Sequence, residues 1–300
     1  MILLTISKQG SEILMLTMKA YAKINLFLNV VGLRSDGYHD LEMVNAKIDL
    51  ADILHFQETT NQPKVIIHSN DKFLEKEGNL LYRVAHFMID YYALGKSIEI
   101  TVEKNIPAGA GLAGNSTDAA AIIKGINQLF ELNLSDSQME NIGSKFGADI
   151  PYCLYDKPAI VKGIGDIIEF VTLPLSQCSV MIVKPSVFLR TEDVFNLGDQ
   201  IGFEKSDLDP MLNAIQSQNQ DAFIASMSNS LEKISFKLSQ QTKETKDMIC
   251  QELGSKGVVM SGSGSTIMKV IQGKFDLFND FFDKYMKKYL IFQANIVNKE

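Results

Sequence analysis

The stretch from Asn105 to Ala120 holds the residue types best suited to chemistry: Asn-Ile-Pro-Ala-Gly-Ala-Gly-Leu-Ala-Gly-Asn-Ser-Thr-Asp-Ala-Ala. Small residues let main-chain N–H groups crowd around an anion, and a helix N-terminus adds the positive end of its dipole. A strand-like run, Ser97 to Glu103, precedes this loop. Behind it a helical pattern follows, with apolar positions at Ala120, Ile122, Ile123, Ile126 and Leu129. Strand, glycine loop and helix in that order are the context an anion cradle needs, and the spacing predicts that Ser116 or Thr117 caps the helix.

Four further groups could serve a site beside such a cradle. Lys23 and Asn25 share the polar side of an alternating run whose other side is Ile24, Leu26, Leu28 and Val30. Asp149 follows a helix end and precedes Pro151, which fixes the local backbone. Ser261-Gly262-Ser263-Gly264-Ser265 is a second glycine loop, and Tyr38-His39 follow the Asp36-Gly37 turn. Each has a plain alternative: an exposed strand edge, a turn aspartate, a simple turn, a packing pair. The chain has no GxxxxGK[ST] loop and no protein-kinase signature set, so nucleotide binding here needs another design.

The elements that must position these residues read as a mixed pattern. The alternation from Lys23 predicts a half-buried strand that displays two polar residues at its start. Met43 to Phe56 reads as strand, turn and strand, and Lys64 to His68 as a short strand. Asn79 to Leu94 has helical spacing and ends at Gly95; Ser135 and Gln138 form a capping box for a helix stopping near Gly147. A hairpin is expected around Gly163 to Asp166. Beyond Leu173 the pattern predicts a strand at Val180–Lys184, helices over Asp207–Gln218, Asp221–Phe236 and Gln241–Leu253, and strands at Val258–Met260 and Thr266–Ile271. A helix over Phe275–Tyr289 and a strand over Ile291–Val297 close the chain. Strands and helices mixed without strict alternation indicate an α+β protein.

Composition narrows the class. Three hundred residues with 46% apolar and 22% charged residues make a packed globular protein of one or two domains. A net charge of −7 without a basic stripe argues against nucleic-acid binding. Cys153, Cys178 and Cys250 are odd in number and widely spaced, which fits a reduced, cytoplasmic protein better than a disulfide framework. The four histidines show no zinc spacing, and no apolar run is long enough to span a membrane.

In order along the chain, Ala22-Lys23-Ile24-Asn25-Leu26, Ser35 to Asp40, Pro107 to Ala120, Gly147 to Pro151 and Met260 to Gly264 resemble the GHMP kinase superfamily. The glycine loop marks only the superfamily. The first two segments resemble those members that phosphorylate a cytidine-diphosphate-linked methylerythritol in non-mevalonate isoprenoid biosynthesis. The resemblance implies a two-domain fold, with an N-terminal domain like the second domain of ribosomal protein S5 and a ferredoxin-like C-terminal domain. Residues 1–17 would be an extension, 18–172 the ATP-binding domain and 173–300 the C-terminal domain.

The resemblance also implies roles. Asp149 would accept or orient the proton of the attacking 2-hydroxyl, with Lys23 beside it and Asn25 holding the sugar alcohol. ATP phosphates would lie on Pro107, Gly109, Ala110, Gly111, Leu112, Ala113, Gly114, Asn115, Ser116 and Thr117, with Mg²⁺ nearest Ser116 or Thr117. Adenine would meet Asn79, Leu80 and Lys104. The cytosine would meet Tyr38, His39 and Phe195, and the substrate also Gly262, Ser263 and Gly264. Its partner would be a small molecule, with no nucleic acid or membrane, and the protein a monomer or homodimer. The chain departs from the family pattern at Asn115, where a glycine is usual, at Asp156-Lys157, at Leu189-Arg190 and at Ser265. Two other readings stand beside this one: a ligand-binding paralogue with weakened catalysis, and a GHMP kinase for another alcohol. Tyr38-His39 speak against the last, because mevalonate and homoserine carry no base to stack.

Overall fold

The computed structural model describes residues 2–8, 11–60, 64–176, 178–273 and 278–297. The chain begins with strands β1 (Ile2–Lys8), β2 (Ser11–Leu33), β3 (His39–Thr59) and β4 (Val65–Ser69), then helix α1 (Leu80–Tyr91) and β5 (Ser97–Glu103). Helices α2 (Gly114–Leu129), α3 (Asp136–Ser144) and α4 (Ile150–Cys153) follow, then β6 (Ala159–Gly163), β7 (Ile167–Phe170) and β8 (Cys178–Pro185). The remainder is α5 (Thr191–Ile201), α6 (Asp209–Gln216), α7 (Gln220–Ala225), β9 (Ser228–Asn229), α8 (Glu232–Leu238) and α9 (Gln240–Leu253), then β10 (Val258–Met260), β11 (Ile267–Gln272), α10 (Phe278–Tyr285) and β12 (Tyr289–Val297). The class is α+β, as the mixed pattern predicts.

Two compact units share the chain. One comprises residues 1–22, 50–107 and 113–155; the other comprises 23–49, 108–112 and 156–300. In the first, β5 pairs antiparallel with the second half of β3 and parallel with β4. Leu54, Phe56, Ile98, Ile100 and Val102 of this sheet share one core with Leu81, Val84 and Met88 of α1 and Ile122, Ile123 and Ile126 of α2. Gly125 allows α2 to lie flush on the sheet, since a β-carbon there would stand 2.5 Å from Phe56 Cζ. Asn79 caps α1 through Leu81 N, and both arms of the Ser135–Gln138 capping box are formed on α3. In the second unit β12, β8, β11 and β10 form an antiparallel order, and β6 pairs with the first half of β3 and with β7.

Several expectations change. β3 continues as one strand where a turn was expected, and β2 is buried on both faces from Ala20 to Val30: Lys23 is 4% exposed and Asn25 0%. The expected Asp221–Phe236 helix breaks into α7, β9 and α8, because Asn229 takes Leu231 N–H and donates to the carbonyls of Met260 and Gly262. Helix α5 was not foreseen as a helix. Leu16, inside the span read as an extension, is 1% exposed and belongs to the first unit's core. Phe275, the expected start of the last helix, lies outside the described residues.

Candidate active site

The glycine loop leaves β5 and enters α2 through alternating left-handed residues: Gly109 at φ +57°, Gly111 at +70° and Ala113 at +55°. Ala113 is the helix N-cap, and no side chain caps this end. Ser116 and Thr117 therefore do not cap the helix; they lie inside its first turn, and Thr117 Oγ1 donates to Tyr21 O at 2.7 Å. An uncapped first turn leaves N–H groups without intrahelical acceptors, at the positive end of the dipole. That is a site ready for an anion. Asn115 occupies the second helical position with its side chain exposed, so an ordinary helical φ suits it.

Close packing accounts for two of the loop glycines. A β-carbon on Gly111 would stand 2.1 Å from Ser261 O, and one on Gly109 would stand 1.9 Å from Phe188 Cδ2. The loop's middle is held by Ser261 Oγ donating to Gly111 O at 2.8 Å, Thr266 N–H to Ala110 O at 3.3 Å and Lys23 N–H to Leu112 O at 3.0 Å. The second glycine loop is fixed in turn. Gly264 N–H donates to Ser261 O, Ser263 Oγ meets Thr191 Oγ1 at 2.9 Å, and Ser235 Oγ donates to Ser263 O. Ser265 is wholly buried and donates to Val187 O. The first glycine loop, the start of the Lys23–Asn25 run and the Ser261–Gly264 loop are thus joined within one unit. The Asn25 N–H reaches Ser261 Oγ at 3.3 Å, and Asn25 Nδ2 donates to Asn45 Oδ1 at 2.7 Å.

His39 and Phe195 come together in the same unit with ring centroids 4.8 Å apart. Phe203 joins them edge-on at 5.3 Å from His39, and Asp199 Oδ1 holds His39 Nε2 at 2.8 Å. Neither Phe203 nor Asp199 was anticipated; the amphipathic run of α5 was the available signal. Tyr38 is 58% exposed beside them in the chain, with its N–H donated to Asp36 Oδ1 at 3.0 Å. An aromatic face with a fixed imidazole is suited to a planar heterocycle.

In the first unit, Asp149 is the half-buried N-cap residue of α4, and its carbonyl accepts from Cys153 N–H. Asn79 spends its side-chain oxygen on the α1 cap and is 8% exposed, with Leu80 half-buried next to it. Lys104 has a use that its family position did not suggest. Its Nζ bridges Asp52 Oδ2 and Asp118 Oδ2, the latter at 2.6 Å, both carboxylates being wholly buried. Asp52 Oδ1 also takes the N–H groups of Asn105 and Ile106, at 2.5 and 2.8 Å. Burial drives the Asp118 carboxyl up to about 8, against the pull of Lys104 and with the push of Asp52. Lys104 thus ties the start of the loop to the first turns of α2, and nothing in the spacing of these three residues announces it.

The profile of the GHMP kinases N terminal domain matches residues 79–157. A 4-diphosphocytidyl-2-C-methyl-D-erythritol kinase of Caldicellulosiruptor bescii is 34% identical over 261 residues, covering 86% of this chain and 90% of that protein. Kinases of the same name from Exiguobacterium sibiricum and Bacillus subtilis are 36% and 34% identical, each over 85% of this chain and over 88% and 87% of their own lengths. Among solved structures, a 4-(cytidine 5'-diphospho)-2C-methyl-D-erythritol kinase matches with TM-score 0.78 at 26% identity, over 95% of this chain and 100% of that one. A homoserine kinase from Cytophaga hutchinsonii matches with TM-score 0.74 at 16% identity over 99% and 98% of the two chains, and so shares the fold.

Proposed function

We propose, because this chain belongs to the 4-diphosphocytidyl-2-C-methyl-D-erythritol kinase family of GHMP kinases, that it transfers the γ-phosphoryl group of ATP to the 2-hydroxyl of that cytidine-diphosphate-linked alcohol. The main support is the uncapped N-terminus of α2 behind three left-handed loop residues, which offers main-chain donors to a polyphosphate. Phosphoryl transfer depends chiefly on positioning and charge neutralisation, so such a cradle carries much of the catalysis.

Residues Pro107 to Thr117 hold the phosphates, and Asn79, Leu80 and the segment at Lys104 line the adenine. Asp149 accepts or orients the proton of the attacking hydroxyl, Lys23 neutralises charge, and Asn25 with Gly262, Ser263 and Gly264 seats the alcohol. The His39–Phe195 pair, completed by Tyr38, reads the cytosine, which favours this acceptor over one without a base. Mg²⁺ is bound mainly through substrate phosphates with few protein ligands, and it offsets their charge. Ser116 fits that need, because its hydroxyl stands in the first turn of α2 while the neighbouring Thr117 donates to Tyr21 O. On the family pattern, residues 1–17 would be an extension, 18–172 the ATP-binding domain and 173–300 the C-terminal domain. Cytoplasmic location and a monomer or homodimer complete the reading; among the described residues no helix is long and apolar enough to cross a membrane.

The test is ADP release with ATP, Mg²⁺ and the cytidine substrate. Wild type should turn over at ordinary enzymatic rates, and Asp149→Asn should lose at least about a hundredfold, the scale of general-base effects. Equal rates in the two proteins would remove Asp149 from the mechanism. No turnover of this substrate by wild type, with turnover of mevalonate or homoserine, would overturn the choice of acceptor.

A further inference from the structure

The side-chain amide of Asn25 has one oxygen acceptor and one NH₂ donor. Its Nδ2 lies 2.7 Å from Asn45 Oδ1 and 3.3 Å from Met43 Sδ. A thioether sulfur accepts hydrogen bonds weakly and donates none, which favours the NH₂ at the end facing Met43. The other end, Oδ1, lies 3.6 Å from where a β-carbon on Gly262 would stand. Asn25 is wholly buried, yet this oxygen has no hydrogen-bond partner among the described residues. Asn45, equally buried, spends its oxygen on Asn25 and leaves its Nδ2 without one. Buried polar atoms are nearly always paired, and an exception in a well-packed region calls for a partner from outside the chain. The Asn25 oxygen is an acceptor, which the O–H of an alcohol satisfies.

We infer that Asn45 is a positioning residue of the alcohol site: it locks the Asn25 amide so that its oxygen, rather than its NH₂, faces the Gly262 loop and receives an O–H. The ligand class is therefore an alcohol that donates its hydrogen, and a keto or ether oxygen at that position is refused. The choice of ligand rests on the kinase reading above; the amide lock does not. Nothing in the sequence motifs marks Asn45, which stands on β3 away from the segments that carry the family resemblance.

Three proteins test this: wild type, Asn45→Leu, which removes the acceptor that holds Asn25 Nδ2, and Asn45→Asp, which keeps one in nearly the same volume. For Asn45→Leu, kcat/KM for the cytidine-diphosphate-linked alcohol should fall at least tenfold while KM for ATP stays within twofold. Asn45→Asp should recover most of that loss. Equal kcat/KM in Asn45→Leu and wild type would overturn the inference. So would parallel losses for both substrates without recovery in Asn45→Asp, the pattern of a merely structural residue. A second measurement decides the lock if Asn45→Leu does not fold or if wild type does not phosphorylate this alcohol. In wild type labelled with ¹⁵N-asparagine, the Asn25 side-chain NH₂ should exchange with solvent far more slowly than that of exposed Asn115. Exchange as fast as that of Asn115 would sink the lock whatever the reaction proves to be.

Discussion

Lys104 brings a single positive charge to two buried carboxylates, Asp52 and Asp118, so one of the acids is driven to keep a proton. The burdened group is Asp118: burial lifts its carboxyl to about 8 from an ordinary value of 3.8. The folded protein therefore holds a proton that the unfolded chain releases at low pH. This group's contribution to stability is complete below about pH 4 and is lost as pH rises through about 8. Asp118→Asn, which cannot titrate, should show a flatter stability profile. In urea unfolding at pH 5, 7 and 9, wild type should lose stability relative to the variant step by step; parallel profiles would refute the assignment. This cluster was not legible in the sequence, because its three members come from a strand, a loop and a helix and carry no shared spacing. His39 lies in a recognisable segment, Phe195 came only from what the resemblance implies, and their rings meet. Phe203 and Asp199 complete that cluster from positions that no motif marks. Asn115, the most conspicuous departure in the loop, turns out to need no special backbone.

Elements with local signals were read well, and those that depend on distant partners were not. The α3 capping box and the α1 cap are local, since each side chain bonds its own turn. The break between α7 and α8 is not: Phe223, Ile224, Leu231 and Ile234 keep the buried pattern across it, while Asn229 reaches carbonyls of Met260 and Gly262. The polar cluster Ser226 to Ser230 was the one cue, and apolar periodicity outweighed it. The same reasoning applies to β2, whose polar positions Lys23, Asn25 and Asn29 read as one half-solvated face and are in fact buried. The cap of α1 also separates two roles assigned to Asn79. Asn79→Ala should cost about 1 kcal/mol of stability without any nucleotide, because it removes the bond to Leu81 N. Asn79→Ser, which can still cap, should restore the melting temperature. A rise in KM for ATP that persists in the serine variant would then report an adenine contact. An unchanged melting temperature in the alanine variant would deny the cap its importance.

At the scale of the whole molecule, the chain was expected to divide in sequence order, yet the compact units interleave because β2 and β3 each run through both. The N-terminus shows what that implies. Among the described residues β1 pairs only with the opening of β2, from Ile2 against Thr17 to Lys8 against Ser11, so the hairpin is expected to be dispensable. Leu16 and Met18 could not, being 1% and 8% exposed in the core shared with α1 and α2. Burying two such side chains contributes about 3–6 kcal/mol, a large part of the 5–15 kcal/mol that holds a domain folded. Deleting residues 2–14 should therefore leave the melting temperature within a few degrees of the full chain. Deleting residues 2–18 should lower it by about 10 °C or more, or yield insoluble protein. Calorimetry of the three chains decides the matter: equal melting of the two deletions would mean that the core closes without Leu16 and Met18, and a large loss already in the shorter deletion would mean that the hairpin is part of the fold.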